Sequence, residues 1–198
     1  MQYQTKDAHG LAHDPFKALV SPRPIGWISS VSRDGLHNLA PYSFFNAVCA
    51  QPPMVMFSSS TYKDSVRNVD ETGEFVCNLV SRDLLAAMNA SSQPVARDID
   101  EFDLAGLGKV ASSLVRPPRV AGVKAALECR HISTQHLKGI DGQDTHSYLV
   151  IGQVVSVYID DGVLRDGKVD MAALQLASRL GYMDYACVDE VFELDRPK

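Results

Sequence analysis

The chain has 198 residues, 45% hydrophobic, 22% charged and 8% aromatic, with 19 Lys and Arg against 24 Asp and Glu for a net charge of −5. That balance is expected of a globular chain able to bury a core without disulfides or a structural metal. The mild acidity argues against a nucleic-acid binder driven by phosphate neutralisation, and 13 Gly with 10 Pro argue against a collagenous or low-complexity chain.

In chain order, Met1 to Gly10 is polar and lacks the apolar run of a signal peptide. No stretch approaches the roughly 20 apolar residues of a membrane-spanning helix, so a cytoplasmic location without a membrane partner is expected. Ile25 to Val31, between Pro24 and Arg33-Asp34-Gly35, reads as a strand entering a tight turn. Asn38 to Ala47 reads as one short extended aromatic stretch, which Gln51-Pro52-Pro53 ends. Met54 to Phe57 is a buried strand running into Ser58, Ser59 and Ser60. Lys63 to Glu71 predicts a short helix, capped by Asp64 or Ser65 and stopped by Gly73. Glu74 to Val80 predicts a strand, and Ser81-Arg82-Asp83 opens a helix through Met88.

Gln93 to Arg119 is broken by proline and glycine, so short helical turns over one face of a sheet are expected. Ala125 to Ser133 and Tyr148 to Ile159 predict two long strands joined by a polar segment, Gln135 to Thr145. Asp170 to Leu180 reads as a helix and Val188 to Leu194 as a last strand. The links are too short for repeated βαβ crossovers, and no linker interrupts the chain. A single, mainly β domain over residues 1–198 follows, a closed or partly closed barrel with peripheral helices and an N-terminal extension at 1–18.

Cys49, Cys77, Cys129 and Cys187 show no C-x-x-C pair, and the six histidines show no H-x-H or H-E-x-x-H pair. Reduced thiols and no metal site are therefore expected.

The chemistry concentrates in Arg23 to Ser29, Asn38 to Asn46, and Gln51 through the serines to Lys63-Asp64-Ser65. These segments offer aromatics and small residues for a planar ligand, and extended backbone with Ser43 and Asn46 for a ring edge. They also offer hydroxyls, a lysine and a helix N-terminus for an anion. A planar heterocycle carrying a phosphate would satisfy all three. Core packing of the aromatics and a solvated serine loop are the plainer alternatives.

The same segments resemble the flavin reductase-like family, whose fold is the FMN-binding split barrel of Greek-key type. The likeness lies in Arg23-Pro24-Ile25-Gly26-Trp27-Ile28-Ser29, Asn38 to Asn46, Gln51-Pro52-Pro53 and Lys63-Asp64-Ser65 with Asn68. It continues in Glu74 to Leu79, Asp100 to Leu107, Leu127-Glu128-Cys129, Ile151 to Val154 and Arg179 to Tyr185. The resemblance implies a non-covalent FMN, NADH or NADPH as transient donor, and a homodimer with flavin sites near the subunit interface. It implies an oxidoreductase passing a hydride to FMN. A flavoprotein whose fixed FMN serves an oxygenase or a small-molecule acceptor is the alternative, and a non-redox ligand-binding barrel is a third reading.

Carried over, Ser43, Phe44, Phe45 and Asn46 would follow the isoalloxazine, with Tyr42 before them also binding the cofactor, and Ser58, Ser59, Ser60, Lys63 and Ser65 would hold the phosphate and ribityl chain. Trp27 and Ser29 would line the site or pack behind it, and Arg179, Tyr182 and Tyr185 would close it. Many relatives have glycine where this chain has Tyr182. Where flavin reductases that feed oxygenases carry G-D-H, this chain has Gly142-Gln143-Asp144-Thr145-His146. His146 is thus the one side-chain candidate for a catalytic role, and no Rossmann fingerprint is present for the nicotinamide.

Overall fold

The computed structural model describes residues 1–197. Seven strands form one sheet: β1 (Gly26–Val31), β2 (His37–Tyr42), β3 (Phe45–Ala50), β4 (Pro53–Ser59), β5 (Glu74–Leu79), β6 (Ala125–Lys138) and β7 (Asp144–Ile159). Their spatial order is β2-β1-β5-β6-β7-β4-β3, and every ladder is antiparallel. Strands β2 and β3 end this order on opposite sides, yet only Ser43 and Phe44 separate them in the chain. The three Cα steps from Tyr42 to Phe45 reach about 11 Å at most, so the sheet must curl until its edges meet at this corner. Ser58 N–H donates to the Phe44 carbonyl (2.8 Å) and fastens it. No ladder joins β2 to β3, and the result is a split β-barrel. Helix α1 (Asp64–Thr72) carries the chain from β4 to β5 past the β6–β7 hairpin, a Greek-key connection.

The barrel is filled by Ile28, Phe57, Phe75, Cys77, Cys129 and Val150, with Val66 and Val69 of α1 packed among them. A second core lies on the opposite face, where Trp27, Leu39 and Val76 meet Met88 of helix α2 (Leu85–Ala90), Phe102 and Val120. With a core on each side, all six residues of β1 are buried, which is why Gly26 to Val31 shows no hydrophobic alternation. Residues 93–119 cover that second face as expected, with one helical turn (Glu101–Leu104) that seats Phe102 and a two-residue strand pair, Lys109–Val110 with Arg119–Val120. None of the described helices is long and apolar enough to cross a membrane.

Five expectations need correction. Asn38 to Ala47 is two strands, because the barrel corner breaks it at Ser43 and Phe44. Gln135 to Lys138 and Asp144 to Thr145 belong to the two strands, with Asp144 paired to Lys138, and residues 139–143 form the turn between them. Polar side chains there reflect strands projecting into solvent, where nothing demands apolar residues. Asp170 to Leu180 is a single turn, Met171–Leu174, which Gln175 ends at φ +51°; Ala177–Arg179 is then a strand paired with Arg23–Pro24 and with Tyr185–Cys187. Val188 to Leu194 is not a strand, and Val191, Phe192 and Leu194 are exposed. Neither suggested residue caps α1: its N-cap is Lys63, with no side-chain hydrogen bond.

The loop over the second core is held by a buried carboxylate. Glu128 accepts from Ser113 N–H (2.8 Å), Ser113 Oγ–H (2.9 Å) and Leu114 N–H (2.7 Å). Burial works to raise its pKa, but these donors override it and hold it below the usual carboxylate value. The stabilisation is therefore complete above the unfolded-state pKa and is lost as pH falls through the lower folded-state value. Glu128→Gln should cost about 1–2 kcal/mol at neutral pH, and urea melts in strong acid should show wild type and variant drawing together.

Candidate functional site

The barrel corner is also where the chain is hollow. A cavity of about 350 Å³ is lined by Lys17, Arg23, Pro41, Tyr42, Ser43, Phe44, Ser58, Ser60, Lys63, Arg179, Leu180 and Tyr182. Two others adjoin it. One, of about 270 Å³, shares Pro41, Tyr42 and Lys63 with the first and adds Asn38, Asp64, Ser65, Gln93 and Glu101 among others. The third, of about 330 Å³, shares Pro41, Ser43 and Arg179 and adds Ile25, Met88, Met183 and Tyr185 among others. Pro41 belongs to all three walls.

Eight of the expected residues line the first cavity: Tyr42, Ser43, Phe44, Ser58, Ser60, Lys63, Arg179 and Tyr182. Ser65 lines the second and accepts from Asn38 Nδ2 (2.8 Å), and Tyr185 lines the third. The others line none of these three cavities. Ser59 alternates with Ser58 at the end of β4, so its side chain turns inward with Phe57, and its hydroxyl donates to Thr61 O (2.7 Å). Trp27 is fully buried in the second core, with Nε1–H donating to Ser91 Oγ (2.9 Å). Ser29 donates to Pro118 O (2.6 Å), and Phe45 fills the barrel interior. Asn46 is exposed and accepts from the Ala47 N–H (2.8 Å). His146 lies in the β7 end of the hairpin at φ +56°, exposed, with Nδ1 3.5 Å from Asp144.

Electrostatics single out the first cavity. It holds four cationic side chains, Lys17, Arg23, Lys63 and Arg179, and no acid, in a chain of net charge −5. Asp64 beside it is turned to Arg97 (2.6 Å), which neutralises its charge away from Lys63. Arg23 is buried and donates to three backbone carbonyls: Lys17 O, Val20 O (2.6 Å) and Leu180 O (2.8 Å). Among the described residues no carboxylate pairs with Arg23 or Arg179. Burial lowers the Arg23 pKa, and the nearby Arg179 charge lowers it further. The Tyr42 hydroxyl is buried near Ser65 and Ser59 without a well-aligned partner, and burial raises its pKa. An unpaired guanidinium cluster and an orphan phenol at one corner call for a ligand with an anionic end and further acceptors.

Lys17 and Arg23 also line this cavity; sequence reasoning assigned Lys17 no part in it, and Arg23, though it opens the first motif, no role of its own. Lys17 comes from the supposed extension, whose turn Phe16–Leu19 packs on the C-terminal loop. A Cβ on Gly181 would lie 2.5 Å from Ala18 Cβ, so only glycine permits that approach. The next residue, Tyr182, holds φ +54°, the left-handed region that favours glycine. This chain accepts backbone strain there and sets a ring on the cavity wall.

The flavin reductase like domain matches residues 19–183. A protein of Halalkalibacterium halodurans is 37% identical over 183 residues, covering 90% of this chain and 87% of that one. Among solved structures, nitrilotriacetate monooxygenase component B from Bacillus cereus superposes with a TM-score of 0.88 at 30% identity, covering 98% of each chain. A split-barrel putative flavin reductase from Shewanella frigidimarina superposes at 0.84 over 100% of each chain; at 23% identity it speaks for the fold alone. The chain belongs to the flavin reductase-like family.

Proposed function

We propose that the protein is an FMN-dependent oxidoreductase. Bound FMN would supply the chemistry, taking a hydride from NADH or NADPH and passing its electrons to an acceptor, an oxygenase or a small molecule. The observation that carries this reading is the acid-free cavity with four cationic side chains at the barrel corner. Lys63, Ser58 and Ser60 would hold the phosphate, aided by the first-turn N–H groups of α1. Ser43 and Phe44 lie outside both neighbouring ladders and would present backbone to the ring edge. The Tyr42 hydroxyl supplies a donor, and Tyr182 covers the opening. Kinship with a monooxygenase component supports a redox role. A second copy of the chain is the expected partner; exposed Val48, Ile132 and Val157 offer apolar surface for it.

Purified protein should carry the two visible flavin bands and lose them on anaerobic addition of NADH or NADPH; a flavin that stays oxidised with both would refute hydride transfer. Lys63→Ala with Ser60→Ala should weaken FMN binding about tenfold to hundredfold, the loss of one charge-assisted contact and a weaker one. Fluorescence titration reads this directly, and unchanged affinity would displace the phosphate from that corner.

A further inference from the structure

The first cavity holds more positive charge than a flavin phosphate needs. A phosphate monoester carries about −1.5 to −2 at neutral pH, and Lys63 with the first turn of α1 meets much of it. Arg23 commits its N–H groups to three carbonyls. Arg179 does not: its guanidinium makes one hydrogen bond to oxygen, Nη2–H to Tyr182 O (2.5 Å), and a weak contact to Met183 Sδ (3.8 Å). Among the described residues no carboxylate lies in ion-pair range of either guanidinium.

Arg179 is the one charged residue among the three, with Pro41 and Ser43, that the first and third cavities share. Apart from Arg179, the third has no charged lining residue; Ile25, Pro41, Met88, Met183 and Tyr185 supply apolar wall, and Ser43, Asn89 and Ser92 the neutral polar remainder. Ile25 and Met88 are buried, so that part of the wall is preformed. The Arg179 guanidinium lies 4.4 Å from the Tyr185 ring centroid, a cation–π contact that holds it at the slot's wall. A partly apolar slot of this size, with one guanidinium on its wall that has no carboxylate partner, matches a flat ring bearing a carboxylate.

We infer that the third cavity is a subsite for a small aromatic carboxylate, its carboxylate on the free edge of Arg179 and its ring against Tyr185, Met88 and Ile25. This rests on reading the first cavity as the flavin site, and it places the organic acid beside that site.

Calorimetric titration of the protein with benzoate and with its neutral isostere benzamide tests the assignment, on both the FMN-saturated and the FMN-free protein. FMN affinity is measured separately, so a failure to bind FMN counts against the flavin reading and leaves the benzoate comparison standing. Benzoate should bind at least tenfold more tightly than benzamide to the wild-type protein, and Arg179→Met should erase that preference. Arg179→Lys, which keeps the charge without the fork, should retain only part of it. Equal binding of benzoate and benzamide to the wild type overturns the proposal without recourse to any variant. So does an intact preference in Arg179→Met. A tenfold rise in KM for NADH in that variant, with no benzoate preference in the wild type, would assign Arg179 to the nucleotide instead.

Discussion

Arg23→Met should unfold at a distinctly lower urea concentration, with a stability loss of about 2–4 kcal/mol. For a chain of this length that corresponds to a fall in Tm of roughly 5–15 °C. Three carbonyls lose a charged donor at once, and they come from distant parts of the chain: Lys17 and Val20 before the barrel, Leu180 after it. The side chain thereby ties the N-terminal turn to the C-terminal loop, and both lend lining residues to the first cavity, Lys17 on one side and Leu180 and Tyr182 on the other. FMN affinity should fall alongside stability, because the wall loses a charge and its fastening together. Arg23→Lys separates the two effects. A lysine keeps the positive field but cannot reach three acceptors in fork geometry, so it should recover affinity better than stability. A melting curve unchanged in Arg23→Met would show that solvent serves those carbonyls equally well.

Gly26→Ala and Gly152→Ala form a matched pair with different expected consequences. A Cβ at position 26 would lie 2.5 Å from Phe45 Cδ2 and 2.7 Å from Cγ, close to the root of a buried ring. At position 152 it would lie 2.4 Å from Phe75 Cζ and 3.2 Å from the Arg130 carbonyl. Each overpacks the barrel interior and should cost about 1–3 kcal/mol by chemical denaturation. Only the first pushes on the residue that follows Ser43 and Phe44. Gly26→Ala should therefore also weaken FMN binding by about tenfold, while Gly152→Ala, far along β7, should bind FMN as the wild type does once folded. Equal affinities in the two variants would uncouple the barrel corner from the ligand.

Much of this architecture was legible in the residues. Gly26 to Val31, Glu74 to Leu79 and the two long strands declare themselves by apolar content and turn punctuation, and Gly73 stops α1 at φ +74°. What stayed hidden depends on distant contacts. Nothing local to Ala177-Ser178-Arg179 says strand, since its partners are Arg23–Pro24, far earlier in the chain, and Tyr185–Cys187. Trp27 and Ser29 share a motif with the site but point into the core on the sheet's far face, and motif likeness carries no facing information. The inward turn of Ser59 was available from period-two alternation continued past Phe57. Lys17 and Arg23 were not: their role needs the two chain ends to meet.

Pro41 sits on β2, an edge strand of the sheet, and lies on the wall of every cavity at the corner. An edge strand is a standing invitation to another strand, whether from a neighbouring molecule or from a stray segment of its own chain. A proline there withholds the donor such a visitor would need. The same residue that shapes the groove thus keeps backbone out of it. The groove is reserved for occupants that bind through charge and ring faces, and the unliganded protein can wait for them without recruiting a second sheet.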